Sequence, residues 1–584
     1  MTNNSQHRKI LSSLRFFKAN TFLLPTKFYF FIFFCLILFS TIQGSSIAAT
    51  APVSLLQAAL TRFLENQPTV TLDLVTTGMD PTLIDQVLFK LYREHGMQPL
   101  WLVQNTNIPT ERAQDLREVL QNSFEDGLNP DDYKVAEILT LWEQSDISSR
   151  VRLDVLLTMV LGRYVADMRE GSADPCLLDP KLFAAARDKE VDLFTVVQNG
   201  LNTPNIKEFL RNQAPTHSDY TGLRKALAQY RTMRAQGEWD NIPTGTTIRT
   251  GMTDPRLPLI CNHLQRSGDL ASIPDQCTIY THEMETAVKK FQQRFQLEPD
   301  GVIGKKTLAA LNIPISQLIR KIILNMERWR WLPHRLNGKR IFVNIAGFQL
   351  FGATDEQVQI SMPVIVGKKY HETPVFTGMM KYLVINPYWN IPDSIAVKEI
   401  VPHMIRNPNY LREKHIRIFR GWSDNAPQID PATINWRTIG KGIKRYRLRQ
   451  DAGPTNALGR IKFIFPNPYH VYLHDTPTRQ LFKRSNRSFS HGCIRVSRPL
   501  ALAVYVLKDM KKQLDKEQLQ QLIDTGKRKV ILLDKRIPVH ILYRTVRVAP
   551  EGMTFFYPDI YGRDALLARA LFARKPLSQC RYPQ

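Results

Sequence analysis

Hydrophobic patterning changes character several times along the chain. Phe28 to Ile42 is continuously apolar apart from Ser40 and Thr41. From about 55 to 250, apolar residues recur at helical spacing; Leu153, Leu156, Leu157, Val160 and Tyr164 define one helix face. Asp126-Gly127 and Asn129-Pro130 punctuate that stretch as turns. A mostly helical scaffold is predicted there. Residues 255–315 form a smaller helical unit. Met284, Val288, Phe291 and Phe295 share a face, Pro299-Asp300-Gly301 turns the chain, and Lys305 to Leu311 reads as a second helix. From about 338 the period drops to two. Ile341, Val343 and Ile345 alternate with Phe342 and Asn344, and Val358 and Ile360 alternate similarly. Pro363 to Gly367 and Tyr382 to Ile385 are short apolar runs that read as strands.

The expected fold class is therefore α+β multidomain, with a mainly-β domain over 338–520. A segment of about 390–447, rich in Pro, basic residues and aromatics such as Trp389, Tyr410, Phe419, Trp422 and Trp436, interrupts it. Long insertions of this kind often cover a site, so a lid is expected. The extension 521–584 reads as short strands, then a helix near Leu566 to Phe572, with no evident chemistry. At roughly 100–200 residues per domain, 584 residues imply three or four domains.

The N-terminal run changes the picture of where the rest resides. Arg8, Lys9, Arg15, Lys18 and Lys27 precede it without any acidic residue, and Gly44-Ser45-Ser46 and Ala48-Ala49 follow it. That order is an export signal over residues 1–50. Its apolar core is shorter than the roughly 20 residues that cross a bilayer comfortably, which favours cleavage. The long basic flank favours retention as an inner-membrane anchor. Either way, everything beyond about residue 50 is expected outside the cytoplasm.

Formal net charge is +25, which favours polyanionic partners in general. A basic surface kept for solubility explains it equally well. Nucleic acid would suit the charge and the aromatics, but an exported chain rarely meets it, so no nucleic acid is expected. The six cysteines show no paired zinc-type spacing. Cys261 and Cys277 are available to pair in an oxidising compartment, though their spacing does not establish it.

The segment with chemical content is Tyr469-His470-Val471-Tyr472-Leu473-His474-Asp475-Thr476, followed by Phe489-Ser490-His491-Gly492-Cys493-Ile494-Arg495-Val496. A free thiol near pKa ~8.5 needs an imidazole or fixed positive dipoles to react as thiolate. His491, two residues from Cys493, would share its face in an extended segment. His474 ends a predicted strand, Val471 to His474, and an adjacent strand would bring it to the thiol. Gly492 permits a turn that aims successive N–H groups at one point. Two other readings stay open at this level: a zinc site from His470, His474, His491 and Cys493, and a structural thiol. The zinc reading is disfavoured because His470 and His474 share a face only on a helix.

His474, a fifteen-residue gap and Ser490-His491-Gly492-Cys493 together resemble the signature of the YkuD family, the L,D-transpeptidases. Asn386 to Pro392, Tyr446 to Gln450, Asn456 to Arg460, Phe465 to Pro468 and Leu473 to Pro477 are similar to its YcbB-type (LdtD-type) branch. Ala287 to Gln292, Asp300 to Gly304 and Thr307-Leu308 resemble a three-helix peptidoglycan-binding module. The resemblance implies an exported, periplasmic enzyme acting on peptidoglycan stem peptides, with peptidoglycan synthases as candidate partners and no metal or cofactor. It makes Cys493 the nucleophile and His474 its base, oriented by the Asp475 carbonyl. It implies that His491, Gly492 and Cys493 shape an oxyanion hole and that Ser490, Arg460 and Arg495 contact substrate. Many members carry Asn where Arg495 stands; a salt bridge supporting the loop is the competing role for this residue. The implied reaction is 3→3 cross-linking through a thioester. L,D-carboxypeptidase or D-amino-acid exchange activity, and a non-catalytic wall-binding protein, are the alternatives.

Overall fold

The computed structural model describes residues 54–66, 81–103, 106–173, 178, 192–274, 277–334, 336–355, 357–423, 425–511 and 513–572. The apolar N-terminal run, Cys35, Cys176 and Cys580 lie outside them. Among the described residues no single helix is long and apolar enough to cross a membrane.

The scaffold is built around the helix Ile147–Glu170. Leu55–Glu65, Glu111–Gln121, Val135–Glu143 and Leu193–Asn202 all pack against it. The five residues expected on one face are buried, but so are Val155, Thr158, Met159 and Leu161 between them. With neighbours all round, this helix has no solvent face over its middle turns. Its start is fixed by Asp146, whose carboxylate accepts from Ser149 N–H at 2.9 Å.

The smaller helical unit uses Leu257–Arg266, His282–Arg294 and Lys305–Leu311. Met284, Val288, Phe291 and Phe295 are buried together, as the spacing predicts. Cys261 and Cys277 are joined as a disulfide. This core does not end at the unit's edge. It continues through Tyr220 and Leu227 of the helix Ser218–Ala235, Ile322 and Trp329 of the helix Ile315–Arg330, and Phe342 and Val548 beyond.

The sheet of the β-domain has nine strands: β1 (Lys339–Asn344), β2 (Gln349–Thr354), β3 (Gln357–Gly367), β4 (Phe376–Ile385), β9 (Ile461–Ile464), β10 (Leu473–His474), β11 (Ser488–Ser490), β12 (Ile494–Val496) and β13 (Lys529–Leu542). Their order is β11-β3-β12-β10-β9-β4-β13-β1-β2, and β2 also pairs with β3, so the sheet closes on itself. β13 lies between β4 and β1, well past residue 520. The end of the β-domain drawn from sequence is thus too early, because the extension supplies a central strand. β1 shows why its residues are apolar on both faces: Ile341 and Val343 enter the core inside the sheet, while Phe342 faces the helical unit.

The insertion folds separately as β5 (Trp389–Asn390), β6 (Ile416–Phe419), β7 (Gln428–Ile429) and β8 (Arg447–Gln450), ordered β5-β8-β6-β7. Ile391, Ile400, Met404, Leu411, Ile418 and Leu448 give it its own core. A hairpin of β14 (Val546–Val548) and β15 (Thr554–Phe556) and the helix Arg563–Phe572 complete the chain described.

Candidate active site

Three short strands assemble the site. β10 pairs antiparallel with β9, setting His474 opposite Lys462, and parallel with β12, setting His474 opposite Arg495. Residues opposite one another share a face, so Lys462, His474 and Arg495 form one row. Tyr472 lies two residues before His474 on that face, its ring 5.6 Å from the imidazole. Lys462 Nζ sits 3.7 Å from the centre of the Tyr472 ring. Cys493, half-buried, immediately precedes β12, with Sγ 3.9 Å from the His470 carbonyl oxygen.

The imidazole is held in one tautomer. His474 Nδ1 lies 2.5 Å from the Asp475 carbonyl oxygen. A carbonyl only accepts, so Nδ1 carries the proton and Nε2 keeps its lone pair. Asp475 is itself fixed. Its carboxylate accepts from Thr476 N–H at 2.7 Å, Arg479 Nη2 at 2.8 Å and Arg460 N–H at 2.8 Å. Gly459 is required beside it: a Cβ there would meet the carboxylate at 2.4 Å.

Burial, then Arg495 and Lys462, pushes His474 down to about 3 despite its bond to Asp475. Burial pushes the Cys493 thiol above the ordinary range; hydrogen bonds from Tyr472 and the charges of Lys462 and Arg495 pull the other way. At neutral pH the pair is therefore thiol and neutral imidazole. Burial also lowers Lys462 and Arg495, and a Cys493 thiolate would favour their charged forms. Neither cation has a carboxylate partner among the described residues. The Nε of Arg495 is buried without a hydrogen-bond partner.

The turn before β12 departs from the sequence expectation. Residues 491–493 are not extended, and Gly492 takes φ 110°, a conformation that favours glycine. His491 consequently turns to the insertion, with Nε2 2.8 Å from Glu399 Oε1, and packs on His371. The Ser490 hydroxyl accepts from Gly492 N–H at 3.2 Å and donates to the Cys493 carbonyl at 2.6 Å. With Gly492 N–H so occupied, Cys493 N–H is the one in this peptide pair that makes no hydrogen bond among the described residues. Arg460 Nη1 reaches Asn386 Oδ1 at 3.4 Å, so Arg495 is the less engaged guanidinium.

Lys462, Tyr472 and Glu399 were given no role from sequence. Tyr472 alternates with His474 and was findable by period. Lys462 and Glu399 depend on strand pairing and on where the insertion docks.

A free thiol just before β12 and a neutral imidazole on the paired strand β10, at a glycine turn with an open N–H, make up the set of groups used in thiol acyl transfer. Comparison with known families then narrows the class. Residues 338–531 match the family described as the L,D-transpeptidase catalytic domain (YkuD). Residues 254–311 match the "Putative peptidoglycan binding domain" family, and residues 86–227 match the family described as a scaffold domain. The chain thus carries a YkuD-type L,D-transpeptidase catalytic domain together with a peptidoglycan-binding domain. A Haemophilus influenzae protein named "Putative L,D-transpeptidase" is 34% identical over 249 residues, covering 43% of this chain and 49% of that protein. The chain spans about half the length of that relative. Among solved structures, an L,D-transpeptidase from Mycobacterium smegmatis aligns at 13% identity over 35% of this chain and 58% of its own, with TM-score 0.16. An L,D-transpeptidase (Yku) from Stackebrandtia nassauensis aligns at 15% identity over 51% and 97%, with TM-score 0.20. Superpositions this partial say nothing about the site.

Proposed function

We propose that the protein is an exported L,D-transpeptidase of the YcbB-type branch that forms 3→3 cross-links between peptidoglycan stems through a Cys493 thioester. The observation that supports it most is the free thiol of Cys493 and the Asp475-locked His474 occurring together inside residues 338–531. In this reading His474 Nε2 takes the thiol proton as sulfur attacks the carbonyl of the third stem residue, a diamino acid such as meso-diaminopimelate. The imidazolium returns that proton to the departing D-alanine amine. The side-chain amine of a second stem then attacks the thioester, again deprotonated by His474, and the thiol is restored.

Arg495, half-buried and without an acidic partner among the described residues, is the better candidate of the two arginines for a stem carboxylate. His491 acts through the insertion rather than on substrate. Residues 1–50 serve export or anchorage, residues 254–311 bring the enzyme to the wall, and synthases supplying nascent strands are its candidate partners.

Muropeptide mass spectrometry of cells whose only such enzyme is this one tests the reading. Wild type should yield 3→3 dimers, and Cys493→Ala should yield none. Tripeptides in place of dimers would identify a carboxypeptidase, and D-amino-acid-terminated tetrapeptides an exchange enzyme. Dimers persisting in the Cys493→Ala strain would refute the assignment.

A further inference from the structure

The C-terminal segment, to which the sequence lends no chemistry, reaches the catalytic turn through two buried hydroxyls. Tyr561 Oη donates to the Gly367 carbonyl at 2.6 Å and accepts from Thr373 N–H at 3.2 Å. Thr373 Oγ1 accepts from Gly367 N–H at 2.9 Å and donates to the Gly492 carbonyl at 2.8 Å. Thr373 is fully buried and Tyr561 nearly so. Tyr561 is fixed in turn: its N–H donates to Tyr543 Oη at 2.9 Å, and Tyr543 Oη donates to Asp559 at 2.6 Å. The loop from Gly367 to Thr373 is tight, since a Cβ at Gly367 would collide with the His371 carbonyl. Arg563 pins its far side through Glu372 at 3.1 Å.

The consequence follows from peptide geometry. In a trans peptide the C=O and N–H point in opposite directions. Thr373 draws the Gly492 carbonyl toward its loop, so the N–H of the same peptide, that of Cys493, is directed away from it. That N–H makes no hydrogen bond among the described residues. At φ 110° Gly492 has the freedom to let this peptide plane rotate unless something holds it. We propose that Thr373 and Tyr561 are positioning residues that lock the Gly492–Cys493 peptide so that Cys493 N–H serves as a preset oxyanion donor. The proposal rests on the acyl-transfer reading given above.

The test compares two reactions of the same sulfur in the full-length protein. Iodoacetamide alkylation needs the thiolate but no oxyanion donor, whereas acylation by a carbapenem needs both. Thr373→Val and Tyr561→Phe should lower the acylation rate roughly 10-fold to 100-fold, less than the loss of a whole donor. Their alkylation rates should stay within about two-fold of wild type, and Thr373→Ser should restore acylation. If Thr373→Val does not fold, Tyr561→Phe, which removes one oxygen, carries the same comparison. Variants acylated at the wild-type rate, or losing both reactions in parallel, overturn the brace while leaving the acyl-transfer reading intact. A wild-type protein that is alkylated but never acylated overturns that reading and the brace together.

Discussion

At the residue scale, Cys493 stands as a thiol and His474 as a neutral imidazole. Burial raises the thiol, and burial with two nearby cations lowers the imidazole to about 3. An imidazolium–thiolate pair would react at a constant rate between its two pKa values. A neutral pair instead gains thiolate as pH rises toward the thiol pKa. Iodoacetamide alkylation of Cys493 should therefore climb by about tenfold per pH unit between about pH 6 and 8. A flat profile over that range would show the ion pair. The same balance explains Lys462, which supplies charge to the thiolate without touching it in the ground state. Lys462→Met should then lower the alkylation rate at fixed pH and leave the pH slope unchanged. His474 and Cys493 were legible as residue types at a recognisable spacing. Lys462 was not, because one alternating position in β9 looks like any other until its strand neighbour is known.

At the element scale, the short strands were the hardest to read. β10 is two residues long, and β11 and β12 are three each. No periodicity can be measured over so few positions, and only pairing makes them strands. The helix His282–Arg294 follows its pattern closely, whereas β1 is buried on both faces and in β3 the alternating Val358 is exposed and Ile360 half-buried. The insertion folds on its own core yet touches the catalytic turn through Glu399 and His491. Both groups are part-exposed, so this contact contributes roughly 0–1 kcal/mol. Glu399→Ala should thus speed modification of Cys493 by a bulky maleimide by up to about five-fold. Iodoacetamide, small enough to pass, should react as before. Equal rates for wild type and variant with the bulky reagent would mean that this contact does not hold the insertion over the site.

At the scale of the whole molecule, domains that read separately in sequence share a core. The peptidoglycan-binding unit, two bridging helices, β1 and the C-terminal hairpin all contribute to one buried cluster. The Cys261–Cys277 disulfide, with sequence separation 16, lies inside it. Closing a loop of this length is worth roughly 3 kcal/mol through the unfolded chain. Because the cluster is continuous, the loss should be felt beyond the module. Replacing both cysteines with alanine should lower a single unfolding transition, followed by tryptophan fluorescence in denaturant, by about 2–4 kcal/mol. An early, separate transition of the module alone would show instead that the shared cluster does not couple the two.

Composition and period by themselves determined the helical-then-β order of the chain and raised the expectation of an export signal at its start, while the cysteine and histidine came forward through the family signature. These are local properties, and a local pattern carries them. Only the tertiary structure decided where the two histidines go, because the turn at Gly492 sends His491 to Glu399 of the insertion and strand pairing sets His474 opposite Lys462 and Arg495. It also decided that β13 belongs in the middle of the β-domain sheet and that Tyr561 and Thr373 form a hydrogen-bonded chain ending on the Gly492 carbonyl. Those contacts join residues far apart in sequence, and no spacing along the chain encodes them.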